Sequence, residues 1–227
     1  MTTSHLHKLY TADDAVVVFI DHQPQMTFGV AGTDRATLIN NVTLFAKVAK
    51  EFNVPAILTA VETESLSGYI WPQLLDVFPG QKVIERTSMN SWDSSEFRDA
   101  IKATGRKNII LTGLWTEVCV TWPAIEMLGA GYNIYVVEDC CGATSPAAHE
   151  AALSRMVQAG AVRLTTIAAL LEFQRDWAKR EHYNALMGIL KQQGGAYGVG
   201  VEYAYTMVHH APQSAQVPHV VTGAAAH

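Results

Sequence analysis

Ile109-Ile110-Leu111-Thr112-Gly113-Leu114-Trp115-Thr116-Glu117-Val118-Cys119-Val120-Thr121-Trp122 divides into two halves with different periodicity. The first half is an apolar, β-branched run of the kind that forms a strand covered on both faces. After Gly113 the spacing of Val118, Trp122, Ile125 and Leu128 becomes helical. Cys119 therefore falls where a strand gives way to a helix. With Thr116 as N-cap, the thiol would lie in the first turn, where unpaired N–H groups and the helix dipole favour thiolate and could receive an oxyanion. A free cysteine is as readily a small buried hydrophobe, so position alone leaves both readings open. Pro123 lacks the N–H that would bond back to Cys119, which predicts a kinked or loosely bonded first turn at the thiol.

The same alternation extends to both sides. Val16-Val17-Val18-Phe19-Ile20 is a dense strand ending in Asp21-His22-Gln23, and Leu38, Val42, Phe45, Val48, Ala49 and Phe52 mark a covering helix over 35–52. Ala56–Ala60 and Val83-Ile84 read as further strands, and Ser94 to Gly105 as a helix with its own start and stop. Tyr132–Val137, the helix 146–158, the strand 160–164 and the helix 167–177 complete the pattern. Strands alternating with helices predict an α/β fold with a parallel sheet and right-handed crossovers. We divide the chain into an N-terminal arm (1–12), a core domain (13–180) and a C-terminal extension (181–227).

In a parallel sheet the segments after the strands share one rim, where open α/β sheets gather ligands. Asp21, Arg86 and Cys119 would then converge as an acid, a cation and a thiol. Cysteine attack on a carbonyl or nitrile carbon needs an acceptor for the thiol proton, a site for negative charge and later a base for water. Asp21 could serve as the base, backbone N–H groups near Cys119 as the charge site, and Arg86 as the group holding Asp21 or substrate. Each also has a plain structural reading: Asp21 as a strand-end turn residue, Arg86 as a surface cation. Glu85 and Arg86 point to opposite sides of a strand, so only one faces the pocket. Gln23 could present its amide to substrate or satisfy nearby backbone; Asn90 and Trp92 could line the same loop. His22 should point away from Asp21, which weakens a Cys/His reading. Cys140 and Cys141 are read as packing residues.

Composition narrows the partners. Sixteen basic against twenty-one acidic residues, with the basic ones dispersed, argue against nucleic acid. No apolar run approaches the roughly 20 residues of a membrane span, and Met1-Thr2-Thr3-Ser4-His5 lacks the order of a secretion signal, so a cytoplasmic protein with reduced thiols is expected. No metal and no cofactor are expected: ligand sets at workable spacing are missing, His209-His210 being at most adventitious, and no glycine fingerprint follows Ile20. The glycine-rich run 194–200 has neither the spacing nor the preceding strand of a phosphate cradle. The apolar and aromatic content beyond Trp177 suggests a tail laid across another subunit, hence a homo-oligomer, with disorder expected from Val217 onward.

Val-Phe-Ile-Asp-x-Gln at 18–23, Ile-Leu-Thr at 57–59, Glu-Arg-x-x-x-Asn-Ser-Trp at 85–92, Leu-Thr-Gly-Leu-Trp-Thr-Glu-Val-Cys-Val at 111–120 and Val-Val-Glu-Asp-Cys-Cys-Gly at 136–142 together resemble the isochorismatase-like cysteine hydrolase superfamily. Over roughly residues 8–185 the chain is most similar to its YcaC-type hydrolases. The resemblance implies a Rossmann-like three-layer α/β/α sandwich with a parallel six-stranded sheet. It also implies an aspartate, lysine and cysteine triad hydrolysing amide C–N bonds through an acyl-enzyme. Asp21 and Cys119 match two members; Arg86 stands where the lysine is expected, and an arginine does not trade its proton. A non-proline cis peptide is implied between Leu114 and Trp115, and we place a small-molecule pocket at Gln23, Asn90, Trp92, Leu114, Trp115 and Thr116. The metal-binding aspartate and histidines of the family's nicotinamidases have no match in Thr59-Ala60-Val61-Glu62. The resemblance further implies an octamer of two stacked rings, in line with the tail. The missing lysine leaves a second reading, a binding or redox-responsive scaffold with little turnover.

Overall fold

The structure, a computed structural model, describes residues 4–208. Six strands, β1 (Ala15–Ile20), β2 (Ala56–Val61), β3 (Val83–Arg86), β4 (Asn108–Leu114), β5 (Asn133–Gly142) and β6 (Val162–Leu164), form one sheet in the order β3-β2-β1-β4-β5-β6. Every pairing is parallel. The α/β class and six-stranded parallel sheet expected from the motif order are thus present. All six side chains of β1 are buried, as a β-branched run covered on both faces should be.

Nine α-helices connect the described strands or follow them: α1 (Pro24–Phe28), α2 (Arg35–Glu51), α3 (Pro72–Leu75), α4 (Ser95–Ala103), α5 (Thr121–Gly129), α6 (Pro146–Ala159), α7 (Thr166–Gln174), α8 (Tyr183–Gln193) and α9 (Gly195–Tyr203). Their starts are chemically marked. Asp34 accepts from Thr37 N at 2.7 Å, Ser94 from Phe97 N at 3.3 Å and Ser145 from Ala148 N at 3.1 Å, each satisfying an otherwise unpaired N–H. From β1 the chain steps one way to β2 and β3; from β4 it steps the other way to β5 and β6. The order reverses between β1 and β4, so their carboxyl ends flank the crevice where such sheets bind ligands.

Two compact units part between Phe173 and Gln174. The segment read as an N-terminal arm is built into the first of them: Tyr10 is fully buried, donates to the Ala169 carbonyl at 2.6 Å and packs edge-on against Tyr135. An aromatic ring with a hydroxyl partner inside the domain outweighs the polarity of its neighbours. In the second unit the glycine-rich run forms α9. A Cβ on Gly198 would lie 2.2 Å from the Leu190 carbonyl oxygen, so the glycines let α9 close onto α8. His209-His210 and the stretch from Val217 onward lie outside the described residues.

Candidate active site

β1 ends at Asp21, whose φ of +55° is left-handed. Its N–H still donates to Thr59 of β2 at 2.9 Å, and its carbonyl accepts from Gln23 N at 2.7 Å. Asp21 therefore sits at a sharp turn between two strands, with no exposure to solvent. Along β3 the side chains alternate, Arg86 buried and Glu85 exposed, which decides which of the two enters the crevice. Arg86 Nη2 donates to both Asp21 oxygens, at 2.8 and 2.6 Å, while Nη1 donates to the Ser88 carbonyl at 2.9 Å.

Cys119 reaches the same point from β4. The Leu114–Trp115 peptide is cis, and residues Thr116–Val120 form a π-helical turn before α5 begins at Thr121. Val118 N and Val120 N both donate to the Trp115 carbonyl, at 3.1 and 3.3 Å. The loosened turn expected from Pro123 is this wide turn, which carries the thiol close enough to Asp21 for each group to shift the other's pKa. Thr116 does not cap it: its hydroxyl is engaged by His149 Nδ1 of α6 at 3.0 Å, and its carbonyl accepts from the Thr121 hydroxyl at 2.6 Å. Gly113 makes the approach possible, because a Cβ there would meet Ile20 Cβ at 2.8 Å and Val120 Cγ2 at 2.9 Å.

Electrostatics reverse the thiolate expectation. Cys119 is 2% exposed, and burial together with the Asp21 charge pushes its pKa up to about 12, against smaller lowering by the Trp115 backbone and Arg86. Helix-terminal stabilisation is outweighed because the thiol is dry and faces a carboxylate. Burial also raises Asp21, with Arg86 and the Cys119 hydrogen bond pulling it part-way back to about 6. The resting pair at neutral pH is thus a neutral thiol beside an ionised carboxylate. His22 is fully buried with its pKa lowered to about 3 by burial, and it bonds Thr112 Oγ1 at 3.0 Å, away from Asp21.

The expected pocket residues separate. Leu114 is buried, and Trp115 is half-buried with its indole N–H on the Met26 carbonyl at 2.9 Å; both adjoin the cis peptide. Gln23 is occupied by backbone: its amide donates to Val61 O at 3.0 Å and Gly68 O at 2.5 Å and accepts from Val61 N at 3.0 Å. It braces the loop after β2, since a buried amide must satisfy both ends. Asn90 accepts from Trp92 N at 3.1 Å and donates to Glu126 Oε2 at 3.0 Å, tying the β3 loop to α5. The Trp92 ring packs on Phe97 and Tyr132, the latter just before β5. The Ser88 carbonyl that fixes Arg86 and the His149 that holds Thr116 went unnoticed in sequence, because both contacts depend on loop and helix placement.

The Isochorismatase domain family model matches residues 15–168. The probable hydrolase YcaC of Escherichia coli (strain K12) is 36% identical over 166 residues, which is 73% of this chain and 80% of that protein. YcaC from Pseudomonas aeruginosa, solved with hexane-2,5-diol and covalent acrylamide, superposes with a TM-score of 0.81 at 34% identity, covering 86% of this chain and 96% of that one. The Escherichia coli YcaC gene product, described as an octameric hydrolase of unknown specificity, gives a TM-score of 0.83 at 32% identity over 88% of this chain and 97% of the other.

Proposed function

Since the chain belongs to the isochorismatase family, we propose that it is a cysteine-dependent hydrolase of a small amide or related C–N compound, working through an acyl-enzyme on Cys119. The observation that carries this reading is a buried carboxylate, Asp21, bound by Arg86 through both oxygens and near enough to the buried Cys119 thiol to raise its pKa. Asp21 takes the thiol proton as sulfur attacks the carbonyl carbon, and backbone N–H groups of the turn receive the charge on oxygen. Protonated Asp21 returns that proton to the departing nitrogen as the C–N bond breaks, leaving a thioester. Asp21 then takes a proton from water, whose oxygen attacks the thioester and releases the acid and the thiol. Arg86 stays cationic throughout, so every proton passes through Asp21.

In a panel of small aliphatic and aromatic amides, Cys119→Ala is expected to reduce turnover of any substrate found by at least about a thousandfold. Unchanged turnover would sink the mechanism. The Pseudomonas aeruginosa relative carries covalent acrylamide, so acrylamide is a suitable trap; peptide mass mapping is expected to find the adduct on Cys119, beside Asp21, and not on Cys140 or Cys141. For assembly we propose an octamer, by likeness to the octameric Escherichia coli protein. In support, the second unit exposes the large apolar side chains Val199, Tyr203, Met207 and Val208, which a neighbouring subunit would cover.

A further inference from the structure

At the amino ends of β4 and β5, the edge of the sheet opposite Asp21 and Cys119, lies a cavity of about 420 Å3 lined by charged groups of both signs, among them Lys8, Asp13, Asp14, Arg106 and Lys107. Its size is that of small-molecule sites, about 300–1,000 Å3. Its walls are held in place. His5 Nε2 lies 2.9 Å from the Gly160 carbonyl, and Tyr135, packed edge-on against the buried Tyr10, donates to the Lys8 carbonyl at 3.4 Å. On the sheet side Asn133 Nδ2 donates to Asn108 Oδ1 at 2.8 Å, and the Asn108 amide hydrogens and Asn133 Oδ1 take no partner among the described residues.

Arg106 is the preorganised group. Its Nη1 donates to the Ala12 carbonyl at 2.6 Å and also to the Ala15 carbonyl, which fixes the guanidinium plane. The remaining donors, on Nε and Nη2, form the fork that matches a carboxylate, and they take no partner among the described residues. Lys107 adds positive charge, its ammonium resting 4.6 Å from the Tyr132 ring centroid. Opposite in sign, Asp14 accepts from Thr11 N at 2.7 Å through one oxygen, and the Asp13 carboxylate is exposed. A clamp for residues 12–15 would need only Nη1. It explains neither the open fork nor the acids beside it.

We propose that this cavity binds a small zwitterion of α-amino-acid type, its carboxylate on the Arg106 fork and its ammonium against Asp13 and Asp14. Leu9 and Tyr135, also in the lining, offer apolar surface to a side chain. The site is independent of the catalytic reading above, and Cys119→Ala protein is expected to bind unchanged.

Isothermal titration of the full-length protein with the common α-amino acids, each beside its decarboxylated amine and its des-amino acid, tests the assignment. At least one amino acid is expected to saturate a single site, with its amine and des-amino acid at least about tenfold weaker. Arg106→Lys is expected to abolish binding, but it also disturbs the clamp, so the exposed Asp13 and Lys107 carry the decision: Asp13→Asn and Lys107→Gln should each weaken binding about tenfold without lowering Tm. Failure of every amino acid to saturate, equal binding of the des-amino acids, or affinity indifferent to both exposed substitutions would overturn it.

Discussion

At Asp21 burial and charge pull against each other, and burial wins. The carboxylate must be ionised to take the thiol proton, and its pKa stands at about 6, while that of the thiol stands at about 12. Activity is therefore expected to rise as pH increases through about 6 and then stay level at neutral and mildly alkaline pH, read as kcat/KM on any substrate found. A rise near pH 8 to 9, in the range of an ordinary thiol at about 8.5, would place the titration on cysteine instead. Iodoacetamide is accordingly expected to label Cys119 slowly at neutral pH. Replacing Arg86 tests the departure from lysine. Arg86→Lys keeps a buried countercharge and is expected to retain turnover. Arg86→Met leaves Asp21 buried without one, which should cost about 3–5 kcal/mol in urea melts and move the pH limb upward, since Arg86 lowers the Asp21 pKa. Asp21 and Cys119 are readable as residue types at strand ends; the direction of their pKa shifts is not, because desolvation depends on what the fold lays over them.

Among the elements, the π-helical turn between β4 and α5 does most to set the chemistry. Pro123 signals a disturbed first turn, but the engagement of Thr116 by His149 of α6 depends on how the two helices are placed. Gly113 is the point at which the turn can be closed off by mutation. Gly113→Val would drive a Cβ to 2.8 Å from Ile20 and is expected to destabilise by about 1–3 kcal/mol or more, with a loss of turnover larger than the stability change accounts for. Thermal melts beside kinetics separate the two effects. Gln23 and Asn90 illustrate the opposite outcome. Both were plausible substrate contacts as polar residues after strands, and both are occupied by the loops they support. α9 was illegible for a related reason: glycine disfavours helix locally, and only contact with α8 rewards it.

For the whole molecule, the sheet order places the reversal between β1 and β4, so Asp21 and Cys119 are neighbours although 98 residues apart in sequence. Light scattering after size exclusion is expected to find eight chains in the assembly. A monomer at working concentration would remove the octamer proposal while leaving the acid and thiol geometry intact.

The amino-acid sequence by itself determined the alternation of strands and helices, the parallel sheet and the three candidate site residues Asp21, Arg86 and Cys119 at strand ends, because hydrophobic period and residue type are local properties. Tertiary structure alone decided that the thiol rests neutral against an ionised carboxylate, that Gln23 and Asn90 brace loops, and that a charged cavity opens at the far edge. Those outcomes depend on burial and on contacts between residues distant in the chain, and neither is written in local pattern.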